Sequence, residues 1–290
     1  LAKYEHKKVI YWGRSIGPFS EVTYLDKLFK RRSINLLNYF SFTSLRDYKS
    51  QAIAKQLNVN YVPTIDSAFL REIPYEVPKA FIDEIKSAPY IVLVPNSLAW
   101  HRNFKNYTFE DIKRFWIEMV NGLSKSYPNS KIVMLPQTIG YSKLLPDGYI
   151  YFNKIKNESN CRSQIIVLDE KYGCDIQQSI ISKAQFLIGA RYHSIIFAIN
   201  QGIPFISLSY EHKMNGVIDM LKKNDCEVDL TELLNGIPMQ SIISNGSLNK
   251  IIDMTYGLTP DIETSKKAKE IASQGFDQLR SFLDSQYNLI

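Results

Sequence analysis

Cysteine is scarce in this sequence. There are three in 290 residues, Cys161, Cys174 and Cys226, far apart and without a CxxC pair. That excludes a zinc ribbon and a disulfide scaffold, and a reducing compartment follows most simply. Histidine is as sparse: His6, His101, His193 and His212 lack HxxxH spacing, so no zinc site is expected. No apolar run approaches 18 residues, which excludes a transmembrane helix, and no secretory-signal pattern is visible. There is no GxGxxG after a strand, no GxxxxGK[ST], no GxSxG and no DxD pair. Neither a dinucleotide fold, a P-loop, a hydrolase elbow nor a metal-held nucleotide sugar is signalled.

What is present is ordinary for a soluble protein with real cores: 45% hydrophobic and 22% charged residues over a length that suits two domains. The net charge of +6 is spread along the chain. It suits an anionic small molecule, or loose attachment to an acidic membrane surface. Without aromatics interleaved in a basic run it does not point to nucleic acid. The chain starts without Met and is in an apolar strand by Val9–Trp12. Upstream residues are therefore expected to be missing.

The stretch from Ala184 to Lys213 organises the rest. Phe186–Ile188 reads as a buried parallel strand ending in Gly189. Ser194 is the expected N-cap of a helix that is apolar on all sides, and Gly202 and Pro204 precede a new strand at Phe205–Leu208. In open parallel sheets the carboxyl ends of neighbouring strands border the ligand crevice. Arg191, His193, His212 and Lys213 would gather there beside a helix N-terminus. That is an anion site holding a proton-transfer group.

Before this stretch, Val9–Trp12 is an expected strand, followed by the Gly13–Phe19 loop, where Arg14 and Ser15 could touch a polar substrate. A helix over Val22–Arg32 should bury Val22, Leu25, Leu28 and Phe29. Ile34–Phe42 reads as a strand, Asp47 as an N-cap, and Arg46 lies at that junction. Arg71–Ala88, with Pro74 and Pro78, is the linker. Thr108 caps a helix whose Ile112, Phe115, Trp116, Met119, Val120 and Leu123 share one face. Residues 224–264 resist assignment. Ser265–Tyr287 reads as a long amphipathic helix packing back on the fold. Strands and helices alternate, so the fold class is α/β, with two Rossmann-like, doubly wound domains facing a cleft. The expected division is 1–88, 89–264 and a helix at 265–290.

The segment Gly189-Ala190-Arg191-Tyr192-His193-Ser194-Ile195-Ile196-Phe197-Ala198 resembles the polysaccharide pyruvyl transferase family, as does Ser209-Tyr210-Glu211-His212-Lys213 after it. Gly13–Phe19, Arg46-Asp47 with Ser50, and Asp66–Leu70 resemble further motifs of that family, in the same order. Tyr192, Arg14 and Ser67 depart from the usual Leu, Gln and Pro, and none removes a charge the chemistry needs. The family's N-terminal strand and Gly-rich loop have no counterpart here, so the N-terminal domain is expected to be incomplete.

The resemblance implies a GT-B-like fold and phosphoenolpyruvate as donor, a co-substrate, with no cofactor. The product would be a cyclic pyruvate ketal on a sugar of a surface polysaccharide or its lipid-linked precursor. The few cysteines suit a cytoplasmic protein, and the basic balance would permit peripheral association at the inner membrane face and no more. His193 would be catalytic, and Arg191, Lys213 and Ser194 would hold the donor. Arg14, Ser15 and Arg46 are acceptor-side candidates, with His101, Arg102, Gln137 and His212 as further ones. Two other readings compete: a GT-B glycosyltransferase using a nucleotide sugar, and a non-catalytic carbohydrate-binding protein.

Overall fold

The computed structural model describes residues 7–72, 76–138, 148–168 and 172–287. His6 and Pro74 lie outside them. The chain divides into two compact units. The first comprises Leu1–Arg71, Glu211–Asn224 and Thr264–Ile290, and the second Glu72–Tyr210 and Asp225–Glu263.

In the first unit, β1 (Ile10–Arg14), β2 (Phe42–Leu45) and β3 (Val62–Pro63) form a parallel sheet in that order. Helix α1 (Tyr24–Tyr39) starts at a capping box made by Thr23 and Asp26. It runs through most of the stretch expected to be a strand. No proline or glycine interrupts residues 19–41, and Ile34 and Leu37, one turn apart, reach the core together with Ile16, Leu45, Ala54 and Val59. The expected inward face is the wrong one. Val22, Leu25 and Phe29 are 89%, 71% and 66% exposed. Helix α2 (Tyr48–Gln56) is capped by Asp47, as expected, whose carboxylate accepts from the Ser50 amide at 2.8 Å.

The second unit opens with α3 (Lys79–Ile85), β4 (Tyr90–Val94), α4 (Phe109–Ser126), β5 (Lys131–Met134), α5 (Gly148–Glu158) and β6 (Ile165–Val167). It continues with α6 (Cys174–Ile181), β7 (Leu187–Gly189), α7 (Tyr192–Asn200) and β8 (Phe205–Ser209). Helix α8 (His212–Leu221) belongs to the first unit. β9 (Glu227–Asp229), α9 (Leu230–Leu234), α10 (Met239–Ser244) and α11 (Ser247–Met254) return to the second. Residues 224–264, unassigned from sequence, thus supply an edge strand and three short helices. Helix α12 (Ile262–Tyr287) then carries the chain into the first unit, where Phe276 packs on Trp12 and Phe282 on Phe42, at 6.3 and 5.1 Å between ring centres.

The six strands of the second unit are all parallel, in the order β6-β5-β4-β7-β8-β9. The central strands β4 and β7 are fully buried apolar runs, as expected where helices cover both faces of a parallel sheet. Helix α4 buries the expected face, Ile112 to Leu123, after the Thr108–Asp111 capping box. The first division falls after Arg71 and not at the expected 88, whereas the last, after Glu263, lies within one residue of the expected 264. Phe81 of α3 packs edge-on against Tyr90 of β4 at 5.3 Å, so residues after Arg71 already join the second unit.

Candidate functional site

The strand order reverses direction between β4 and β7. This is the topological switch point, where an open α/β sheet binds ligands outside its carboxyl ends. Val94 closes β4 opposite Gly189 at the end of β7. The chain leaves as Pro95-Asn96-Ser97 on one side and Ala190-Arg191 on the other.

Asn96 ties these two exits together. It is buried, and its Nδ2 donates to the Ala190 carbonyl at 3.3 Å and to the Tyr210 hydroxyl at 2.8 Å. Its Oδ1 accepts from the Leu98 amide at 3.2 Å, and its own carbonyl accepts from the Trp116 indole at 2.9 Å. Leu98 is buried with φ +48°, a left-handed conformation that a branched side chain adopts only when its surroundings hold it there. Asn96 is not among the sequence candidates. A single asparagine after an apolar run carries no sign of the partners that sit 94 and 114 residues away.

Arg191, not Ser194, is the N-cap of α7. Ser194 stands one turn in, fully buried, and its hydroxyl donates back to the Arg191 carbonyl at 2.6 Å. A side-chain donor contact from Ser194 is thereby corrected: its hydroxyl locks the helix start and faces inward. Gly189 permits this packing, since a Cβ there would stand 2.3 Å from Ser194 Oγ. What the helix start offers a ligand is the first-turn amides and the Arg191 guanidinium, a positive end suited to an anion. His193 is the second residue of α7 and is exposed, with its ring 5.3 Å from Tyr192 and 6.2 Å from Phe197.

Arg191 also lines a narrow recess, a cavity of only ≈ 10 Å³, with Pro95, Ser97, Gln137, Thr138 and Tyr151. Of the sequence candidates, Arg191 and Gln137 are therefore brought together. His101 caps a short turn, its Nδ1 accepting from the Asn103 amide at 3.3 Å, and its ring stands edge-on to Tyr210 at 5.3 Å. Arg102 is exposed.

The remaining candidates, Arg14, Ser15, Arg46, His212 and Lys213, all fall in the first unit. There Ser15 donates to the Asp47 carboxylate at 2.6 Å, and Arg46 forms an ion pair with buried Asp66. Ser50 bonds the Ile16 backbone in both directions, at 2.9 and 3.2 Å. These contacts fasten the Gly-rich loop to the start of α2. Ser15 and Arg46 thus have carboxylate partners within the first unit. Arg14 is exposed at the end of β1. The His212 imidazole bonds the Ile16 backbone, and burial pushes its pKa below the usual value against the opposing pull of Asp47 and Glu211. Lys213 pairs with Glu211 at 2.6 Å.

Among the described residues, no group of three or more His, Cys, Asp or Glu could hold a metal ion. Among them too, no helix is long and apolar enough to cross a membrane.

Comparison with known proteins agrees with this layout. The chain is 24% identical over 271 residues to the amylovoran biosynthesis protein AmsJ of Erwinia amylovora, covering 90% of this chain and 63% of that protein. It therefore spans under two thirds of that relative. Its fold is similar to a Staphylococcus aureus MnaA–UDP co-structure at 10% identity, covering 100% of this chain and 72% of that one, with a TM-score of 0.59. It is likewise similar to a UDP-N-acetylglucosamine 2-epimerase described as putative, from Listeria monocytogenes, at 10% identity, 100% and 70% coverage and a TM-score of 0.57. These likenesses establish a Rossmann-like, GT-B-like α/β architecture. The sequence profile of the polysaccharide pyruvyl transferase family matches residues 1–212, and the chain belongs to that family.

Proposed function

We propose that this protein is a ketal pyruvyltransferase. It moves the enolpyruvyl group of phosphoenolpyruvate onto two hydroxyls of one sugar in an exopolysaccharide or its lipid-linked precursor. The observation that carries the reading is the pairing of Arg191 and His193 at the start of α7, outside the switch point of the second unit. The family membership supplies the reaction class.

Phosphoenolpyruvate carries a phosphate and a carboxylate, and so needs cationic partners. Arg191 holds one through its planar fork, with the first-turn amides of α7 beside it. His193 carries out the proton transfers. The enol CH2 takes a proton and becomes the methyl group. One sugar hydroxyl adds to the central carbon and loses its proton. Phosphate departs with the C–O electron pair, and the second hydroxyl closes the ring, its proton leaving with phosphate or through His193. One phosphate is released per ketal formed. The work is done in the cytoplasm, loosely at the inner membrane face, without metal or cofactor.

Calorimetric titration with phosphoenolpyruvate tests the donor. Arg191→Ala should weaken binding ten-fold or more, about 1.4 kcal/mol. His193→Gln should abolish phosphate release without lowering the melting temperature, since the ring is exposed. Unchanged donor affinity in Arg191→Ala, or full turnover in His193→Gln, would remove that residue from its role. UDP- and GDP-sugars serve as the opposing panel. Binding to them and not to phosphoenolpyruvate would turn the reading to a nucleotide-sugar glycosyltransferase.

A further inference from the structure

Helix α1 carries two apolar stripes. Ile34 and Leu37 reach the core of the first unit. On another side Leu25, Phe29, Arg32 and Leu36 follow one another at i, i+4, i+7 and i+11, and so share one face. This second stripe lies open among the described residues. Leu25 and Phe29 are mostly exposed, Leu36 is 55% exposed, and Val22 and Tyr24 stand exposed beside them. Single exposed apolar side chains are ordinary, but a row of them on one helix marks an interaction surface.

The same helix exposes Lys27, Arg31 and Arg32. The acids nearest them are engaged: Glu21 pairs with Lys30, and Asp26, the one acid within α1, closes the capping box. The first unit as a whole is basic. It holds 19 Lys and Arg against 10 Asp and Glu, a net charge of +9, whereas the second unit holds 16 against 19 and is −3. The positive excess of the chain therefore lies in the unit that bears the open stripe.

This combination selects the occupant. A second copy seated on the same face would bring two sets of these cations together, like charge against like. A bilayer with anionic headgroups answers both features at once: acyl chains take the apolar side chains, and negative charge takes the cations. Arg32 within the stripe fits such a surface, because its stem lies along apolar groups while the guanidinium reaches the headgroups. We propose that α1 docks this chain on an anionic lipid bilayer, lying in the plane of the headgroups with Leu25, Phe29 and Leu36 inserted. The docking surface is independent of the chemistry at Arg191 and His193.

The test is flotation of the full chain with vesicles, either phosphatidylcholine alone or phosphatidylcholine and phosphatidylglycerol in equal parts. The wild type should bind the mixed vesicles roughly ten-fold or more tightly than the neutral ones, and added salt should weaken that binding. Leu25→Gln with Phe29→Gln removes apolar contact, and Arg31→Gln with Arg32→Gln removes charge. All four side chains are exposed and Gln is a good helix former, so both double variants should keep the wild-type melting temperature and phosphoenolpyruvate affinity. Each should bind the mixed vesicles roughly ten-fold or more weakly. Phe29→Trp should show a fluorescence blue shift on these vesicles beyond that of the wild type, the mark of insertion. No binding by the folded wild type overturns the proposal. So does binding that either double variant keeps in full, equal binding to neutral vesicles, or no added shift in Phe29→Trp. A wild-type dimer that Leu25→Gln with Phe29→Gln turns to monomer in sedimentation velocity gives the stripe to a second copy and overturns it as well.

Discussion

Asn96→Ala is the perturbation that strains the architecture of the switch point most directly. The substitution deletes three side-chain hydrogen bonds, to the Ala190 carbonyl, the Tyr210 hydroxyl and the Leu98 amide. Each is worth roughly 1 kcal/mol net, and a buried amide left without a partner adds its own desolvation cost. The Leu98 amide is such a group, because Leu98 is buried and its φ of +48° leaves it little freedom to seek another acceptor. The three bonds alone sum to about 3 kcal/mol, before the desolvation cost. For a unit of this size that corresponds to a fall of roughly 6–12 °C in melting temperature. Urea unfolding followed by tryptophan fluorescence gives the same quantity as a shift in midpoint with an unchanged slope. Asn96→Asp should be worse than Asn96→Ala, because a carboxylate keeps the bond from Leu98 but faces the Ala190 carbonyl with no proton to give. Phosphoenolpyruvate affinity should fall in both, since the loop carrying Arg191 loses its tie to the end of β4. A loss below about 1 kcal/mol in Asn96→Ala would refute the claim that this side chain holds the two strand exits together.

Gly189→Ala should destabilise the second unit by about 1–3 kcal/mol through overpacking on Ser194 Oγ and Leu187. Pairing it with Ser194→Ala should recover part of that loss, and denaturant melts of the single and double variants measure the coupling. The first unit should lose stability as pH falls. His212 has a folded pKa below its unfolded value near 6.5, so the unfolded chain takes up its proton first. Stability is full above about pH 7 and declines through the unfolded pKa down to the folded one. The groups facing this ring are Asp47, Glu211 and Lys49. In His212→Gln the decline over that window should shrink, and melting temperatures from pH 7.5 to 5 would show whether it does.

Sequence alone determined the elements whose signals are local. The amphipathic period of α4, the Thr108 and Asp47 caps, and the apolar runs of β4, β7 and β8 need only neighbours within a turn or a strand. The alternating α/β class follows from them, and so does the grouping of Arg191 and His193, two residues apart. The face of α1 was misread because periodicity shows that a helix has an apolar stripe without showing what that stripe meets. Two stripes compete along this helix, and the one through Ile34 and Leu37 found the core. The N-cap of α7 moved to Arg191 because the close approach of Gly189 and Ser194 sets where the helix begins. Residues 211–224 joined the first unit although they follow directly from β8 of the second. That choice depends on long-range packing, such as Gly216 of α8 lying so near Asp47 that a Cβ would stand 2.9 Å from its Oδ1. Strand order, the tie made by Asn96 and the meeting of Gln137, Tyr151 and Arg191 were likewise decided only in three dimensions. They join residues tens of positions apart, and hydrophobic patterning along the chain holds no information about which strand will lie beside which.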